Sequence, residues 1–215
     1  VGDLTRIFLT KLEAMHAKMN DLVLDAGDNI VVSASNLSAG NDVSLKAGQD
    51  ISLLPAQEYS RDNHQYSKKT GGSLGIGKAL DHREEHQTFE QTTITAQNNL
   101  DLQADRNISI VASDLKSGKD LTIDAGQELY IASVTERHNI HHEKSKTGPL
   151  GGVLGGSSSL TRIEQNTTVL ETEITSLNDL TTQSGDDTTI KASSLDAGGD
   201  LKISVGVGPF ANPDA

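Results

Sequence analysis

No cysteine occurs among the 215 residues, which excludes a disulfide framework and all thiol chemistry. Tryptophan is also absent, and only three Phe and three Tyr are present. A core built from this chain is therefore aliphatic. No run approaches the ~18 consecutive apolar residues of a membrane-spanning helix. Cations are scarce as well: 18 Lys and Arg against 30 Asp and Glu leave a formal charge of −12. Phosphate contacts need clustered cations, so the charge argues against a nucleic-acid partner. An acidic surface of Asp, Asn, Thr and Ser is read as a solubility feature.

What the chain has in quantity is itself. Leu4-Thr5-Arg6-Ile7 returns letter for letter as Leu160-Thr161-Arg162-Ile163. Ser35-Asn36-Leu37, Ser113-Asp114-Leu115 and Ser193-Ser194-Leu195 stand 78 and 80 residues apart, as do Asn20-Asp21-Leu22, Asn98-Asn99-Leu100 and Asn178-Asp179-Leu180. Within each block the text repeats again after 21 residues: Leu22-Val23-Leu24 becomes Val43-Ser44-Leu45, and Ile30 becomes Ile51. Apolar residues sit two apart in short runs broken by Gly, Asn and Asp, the signal of strands and turns. Leu9 to Met19 has a rough helical spacing, but the aligned Thr- and Ile-rich segments favour a strand there.

A unit of 21 residues cannot bury both its faces alone, so neighbouring units must stack and close a common core. The sequence thus predicts an all-β parallel β-helix with about 21 residues per turn. Leu22, Leu24, Ile30, Val32 and Leu37 point inwards in one turn, and Val43, Leu45, Ile51 and Leu53 in the next. Gly27 and Gly48 are placed at corners, where positive φ is often needed. Asn20, Asn41, Asn98 and Asn178 are expected to stack as a partial polar ladder. Six turns make a rod of roughly 30 Å.

The expected organisation is one β-helical repeat domain over 1–215, cut from a longer protein. Residues 1–19 are read as the end of a truncated arm or repeat. A repeat over 20–97 carries an arm at about 59–92, a repeat over 98–177 carries one at about 135–173, and 178–215 is a partial repeat. Each arm is polar and His-rich, with a Gly-rich centre at 71–77 or 148–156. Two polar limbs around such a centre are read as a projecting antiparallel β-hairpin. An isolated hairpin is marginal in water, so the arms are expected to stack on one another or to be mobile, above all near their tips.

Asn-x-Leu-x-Leu-x-Ala-Gly-x-x-Ile-x-Ile, followed by Ala-Ser-x-Leu-x-Ala-Gly-x-Asp-Leu and a Lys/Thr/Gly-rich arm, resembles the haemagglutinin repeat of filamentous haemagglutinin-like exoproteins. These include the contact-dependent growth inhibition (CdiA-type) exoproteins. The clearest carriers are Ala112 to Leu121 and Ala192 to Leu201, and the resemblance spans residues 4–205. It implies a right-handed β-helix with hairpin arms, exported by an outer-membrane two-partner-secretion transporter to the surface of a Gram-negative bacterium. In growth-inhibition members such a region lies before a C-terminal toxin and is thought to assist its delivery. The partners implied are that transporter and a target-cell outer membrane or surface receptor, with lateral or end-to-end self-association as a further candidate. The alternative is an adhesin stalk without a toxin.

No catalytic residue and no cofactor is assigned. Asp21, Asp42, Asp120, Asp179 and Asp200 recur once per turn, as structural ladders do, whereas a β-helical polysaccharide-cleaving enzyme would need carboxylates converging in one cleft. His138, His141 and His142, flanked by Glu136 and Glu143, are the metal candidates. On a strand His138 and His142 share a face while His141 points away. His82 and His86 likewise flank Glu84. Three or four convergent ligands are needed for a metal, so solvated His on exposed hairpins is the expected state. Leu74 and Ile76 in one tip, and Leu150, Val153 and Leu154 in the other, are candidates for shallow membrane or partner contact, against the plainer reading of a loop with a few apolar residues.

Overall fold

A computed structural model describes residues 6–10, 15–17, 20–70, 76–149, 153 and 155–206. The first turn comprises β1 (Arg6–Thr10), β2 (Met15–Ala17) and β3 (Leu22–Ala26). The second comprises β4 (Asn29–Ser33), β5 (Asn36–Ala39) and β6 (Val43–Ala47). β7 (Ile51–Leu54) opens the third, two long strands β8 (Ala56–Thr70) and β9 (Ile76–Glu90) follow, and β10 (Thr92–Ala96) and β11 (Leu100–Ala104) complete it. The fourth is β12 (Ile108–Val111), β13 (Ser113–Ser117) and β14 (Leu121–Ala125). β15 (Leu129–Ala132) opens the fifth, which is again interrupted by long strands, β16 (Val134–Thr147) and β17 (Ser157–Leu170), before β18 (Thr172–Ser176) and β19 (Leu180–Ser184). β20 (Thr188–Lys191), β21 (Ser193–Ala197) and β22 (Leu201–Val205) form the sixth.

The short strands make three six-stranded parallel sheets, ordered β1-β4-β7-β12-β15-β20, β2-β5-β10-β13-β18-β21 and β3-β6-β11-β14-β19-β22. This is a right-handed parallel β-helix of six turns. Register is strict. Leu22 faces Val43, Val43 faces Leu100, Leu100 faces Leu121, and Leu121 faces Leu180. A strand alternates its side chains, so an in-register stack sends every second residue into one column. Leu22, Ile30, Val32, Leu37, Val43, Leu45, Ile51 and Leu53 are buried, and Leu24 is partly buried against the same core. Each large aliphatic chain so placed contributes roughly 1.5–3 kcal/mol.

Amides at the corners are satisfied from the rung before. The backbone N–H of Asp42 donates to Asp21 Oδ1 (3.3 Å), that of Asn99 to Asp42 (2.9 Å), that of Asp120 to Asn99 (3.4 Å), that of Asp179 to Asp120 (3.3 Å) and that of Asp200 to Asp179 (2.9 Å). Beside them Asn41 Nδ2 donates to Asp21 (2.5 Å), Asn98 to Asn41, and Asn178 to Asp120 (2.6 Å). The Asn ladder therefore runs jointly with the Asp column. A second column passes through Asn29, Asp50, Asn107 and Glu128. Burial pushes the Asp50 carboxyl up, but the hydrogen bonds from Arg106 and Asn107 and the Arg106 charge leave it below its usual value.

Two corners depart from expectation. Neither Gly27 nor Gly48 has a positive φ. The glycine is needed for close approach instead: Gly48 N–H reaches the Ala26 carbonyl at 2.9 Å, and a Cβ on Gly48 would collide with the Gly27 carbonyl. The left-handed conformation falls on Ala34, Ala112 and Ala192, with φ of 44°, 41° and 44°. The segment at the start of the chain differs too. Arg6–Thr10 pairs in parallel with Asn29–Ser33 as a β-helix strand rather than as an arm limb. Ile7 and Leu9 pack against the core, whereas Leu160 and Ile163 of the second copy lie exposed on β17.

Those left-handed alanines mark where the long strands enter. Ala112 and Ala192 each occupy alone the corner between a strand of the first sheet and a strand of the second, and Ala34 shares that corner with Ser35. In the third and fifth turns, residues 55–91 and 133–171 replace that single residue. One hydrogen bond is the same either way. A hydroxyl on the second side of the corner donates to the last carbonyl on the first side: Ser35 to Ser33 (2.8 Å), Ser113 to Val111 (2.9 Å) and Ser193 to Lys191 (2.8 Å). Across the insertions, Thr92 donates to Leu54 (2.8 Å) and Thr172 to Ala132 (2.6 Å), and both threonines are fully buried.

The long strands form one separate four-stranded sheet, ordered β17-β16-β9-β8. β9 and β16 are antiparallel, from Arg137 opposite Gln87 to Thr147 opposite Gly77. Edge pairing satisfies the inner backbone rows of two hairpins that would each be marginal alone.

The same substitution should act with opposite sign at two buried threonines. Thr92→Val removes one of the two donors to the Leu54 carbonyl, leaving only the Ala34 N–H at 3.1 Å, and should cost about 0.5–1.5 kcal/mol. The Thr182 hydroxyl is buried without a partner, so Thr182→Val should add about 1 kcal/mol. Urea unfolding of the two variants measures both.

Candidate functional site

Six of the seven histidines lie in the hairpin sheet. On β9, His82, Glu84 and His86 alternate with Arg83 and Glu85 and share a face. On β16, His138, Ile140 and His142 do the same. The antiparallel register sets His138 opposite His86, Ile140 opposite Glu84 and His142 opposite His82. Directly opposed side chains project from the same face. Four imidazoles and one carboxylate from two hairpins are therefore gathered along one seam.

At its centre, one oxygen serves two rings. His86 Nε2 lies 2.7 Å and His138 Nε2 2.8 Å from Glu84 Oε1. The two rings stack, with centroids 3.8 Å apart and planes at 23°. His82 Nε2 stands 3.6 Å from the other oxygen, Glu84 Oε2. His82 and His142 bring their Nδ1 atoms to 3.3 Å and meet edge to face at 5.5 Å. The hydrogen bonds from His86 and His138 hold the Glu84 carboxyl below its ordinary value. Desolvation, then the charges of Lys144, His82, Arg162 and His141, push His142 below the ordinary imidazole value.

The metal candidates of the sequence separate here. His138 and His142 lie on the seam, and His138 joins Glu84 and His86 in a group whose ligand atoms all fall within 4.8 Å of one another. His141 lies on the opposite face with Arg83, and its nearest carboxylate oxygen, on Glu143, is 3.9 Å away. His64 meets Asp62 at 3.4 Å. The sequence reading missed Glu84 and His86 as partners of His138. A signal for them existed: His-x-Glu-x-His in one limb and His-x-Ile-x-His in the other keep phase when laid antiparallel. Of the tip residues, Ile76 is half exposed and Val153 is 82% exposed, while Leu74, Leu150 and Leu154 lie outside the described residues. A groove of about 330 Å³ on the sheet is lined by Gln65, Tyr66, Leu80, Asp81, Glu143 and Ser145. Among the described residues no helix is long and apolar enough to cross a membrane.

Against known proteins, a family model described as hemagglutinin repeat matches residues 15–146 and again residues 78–208. Neither a curated protein nor a solved structure matches the chain.

His142 should titrate below pH 6.5, its ordinary midpoint. A folded-state pKa below the unfolded one means stability that is full above pH 6.5 and is lost as pH falls toward the folded midpoint. An NMR titration of the histidine ring protons should place His142 below that value, and His142→Asn should flatten this part of the stability profile. A midpoint at or above 6.5 contradicts the desolvated seam.

Proposed function

Because the chain belongs to the hemagglutinin-repeat family, we propose that it is a non-enzymatic surface segment of a CdiA-like exoprotein. In this reading it is secreted to the surface of a Gram-negative bacterium and displays and helps deliver a C-terminal toxin to neighbouring cells. The family supports a filamentous haemagglutinin-like surface segment. The observation that carries the non-enzymatic part is the use made of the corner acids. Asp21, Asp42, Asp120 and Asp179 each accept the amide of the next rung, a structural role repeated turn by turn. Carboxylates committed in this way are not gathered in one cleft for acid–base work.

Contact with a target is assigned to exposed apolar residues of the hairpins. Ile76 at the start of β9 and Val153 between β16 and β17 are exposed apolar side chains, as are Leu160 and Ile163 on β17. Single apolar side chains of this kind insert shallowly into a bilayer interface, each burying a modest area. The adhesin alternative rests on the same family and requires a receptor in place of lipid.

Vesicle binding separates the two. The 215-residue chain should cosediment with protein-free vesicles of outer-membrane lipid, and Ile76→Asp with Val153→Asp should reduce that binding at least ~10-fold. Binding only to vesicles that carry surface proteins would favour the adhesin reading. Unchanged binding of the double variant would remove the tips from the account.

A further inference from the structure

The seam between the hairpins carries a chemistry that a surface scaffold does not need. We propose that Glu84, His86 and His138 form a binding site for one divalent ion of the zinc class, which clamps the two hairpins to each other. This goes beyond the surface role and stands or falls separately from it.

Three observations lead to the site. First, the donor atoms converge. Glu84 Oε1 lies 2.7 Å from His86 Nε2 and 2.8 Å from His138 Nε2, and no ligand atom of the three is more than 4.8 Å from another. A tetrahedral zinc ion with bonds near 2.0 Å needs donors about 3.3 Å apart. Opening the present contacts to that distance takes only small side-chain rotations. Second, the donors sit on strand interiors rather than on loops. His86 is paired directly with His138 across the β9–β16 ladder, and Glu84 is two residues along the same strand face. Backbone hydrogen bonds thus fix the origins of all three side chains before any ion arrives. Third, the ligands come from both hairpins. An ion held there cross-links segments more than fifty residues apart in sequence, and it would add to the single strand pairing that joins them.

The ligand set also selects the ion. Two imidazole nitrogens and one carboxylate oxygen suit zinc, nickel or copper, whereas magnesium and calcium prefer oxygen shells. Three protein ligands leave a fourth position for water. His82, whose Nε2 is 3.6 Å from the second carboxylate oxygen, is placed to steady Glu84 from outside the ligand set. Each ligating ring must present an unprotonated Nε2, so its proton resides on Nδ1 in the bound state. Glu84 Oε1, which takes the place between the two rings now, becomes the third ligand. By contrast, His141 and His64 meet a carboxylate at 3.9 and 3.4 Å, and among the described residues neither belongs to a convergent group of three ligands.

The test uses the whole 215-residue chain, stripped with chelator. Zinc is titrated by calorimetry, and cobalt(II) is added in parallel to read the visible absorption of a low-coordinate site. The expected result is one ion per chain. Glu84→Gln, His86→Gln and His138→Gln should each weaken binding at least ~10-fold and abolish the cobalt band. His141→Ala, on the opposite face, should bind as the unchanged chain does. Hydrogen exchange of the β9 and β16 amides should slow when zinc is added. Circular dichroism of each variant confirms that a loss of binding is not a loss of fold. Absence of stoichiometric binding, equal binding by the Gln variants, or an equal loss in His141→Ala would overturn the proposal.

Discussion

The structure depends on one hydrogen bond repeated at one corner. A hydroxyl at the start of a second-sheet strand caps the last carbonyl of the preceding first-sheet strand, whether one residue lies between them or a whole hairpin. With one residue the corner needs a left-handed backbone, which Ala34, Ala112 and Ala192 supply at a local cost of about 1–2 kcal/mol each. With a hairpin that constraint disappears, and Thr92 or Thr172 closes the gap from a fully buried position. Because the capped carbonyl is satisfied in both cases, the next strand starts in the same register. The three sheets run through both insertions without a slip.

The other corners follow the same logic with different chemistry. Side chains of Asp and Asn take the amides that a bend leaves without a strand partner. Glycine clears the backbone of the adjacent rung. Gly126 and Gly185 repeat the position of Gly48, each donating its N–H to a carbonyl of the rung before, at 2.9 and 3.0 Å. The interior needs only size and apolarity, and its columns tolerate exchange among Leu, Ile and Val. They accept Thr182 and Thr188 in the fifth and sixth turns as well, where Ser184 and Thr188 pair their hydroxyls at 2.8 Å.

This division explains what could be read in advance. The period of 21, the inward columns and the two hairpins follow from local alternation and from residues repeated at fixed distance, so they were legible. The role of Gly48 was not, because close approach and positive φ place the same residue at a bend. The identity of Arg6-Ile7 and Arg162-Ile163 misled, since alternation marks a strand but not the sheet that receives it. The seam of His82, Glu84, His86, His138 and His142 was hidden for a related reason. Each half was visible as a row on its own strand, but pairing between segments so far apart rests on edge-to-edge hydrogen bonding that no local pattern encodes. Any chemistry of this chain is therefore sought in the hairpin sheet, where the repeat constraint is relaxed and the two copies differ.

The central claim is that the hairpins are insertions at a corner whose hydrogen bond persists without them. It is tested most directly by replacing residues 55–91 and 133–171 with one alanine each, which recreates the corner of Ala112 in the third and fifth turns. Circular dichroism and thermal unfolding should then show a β-rich chain that melts in one cooperative transition. Loss of the β signal, or a broad non-cooperative melt, would contradict the account.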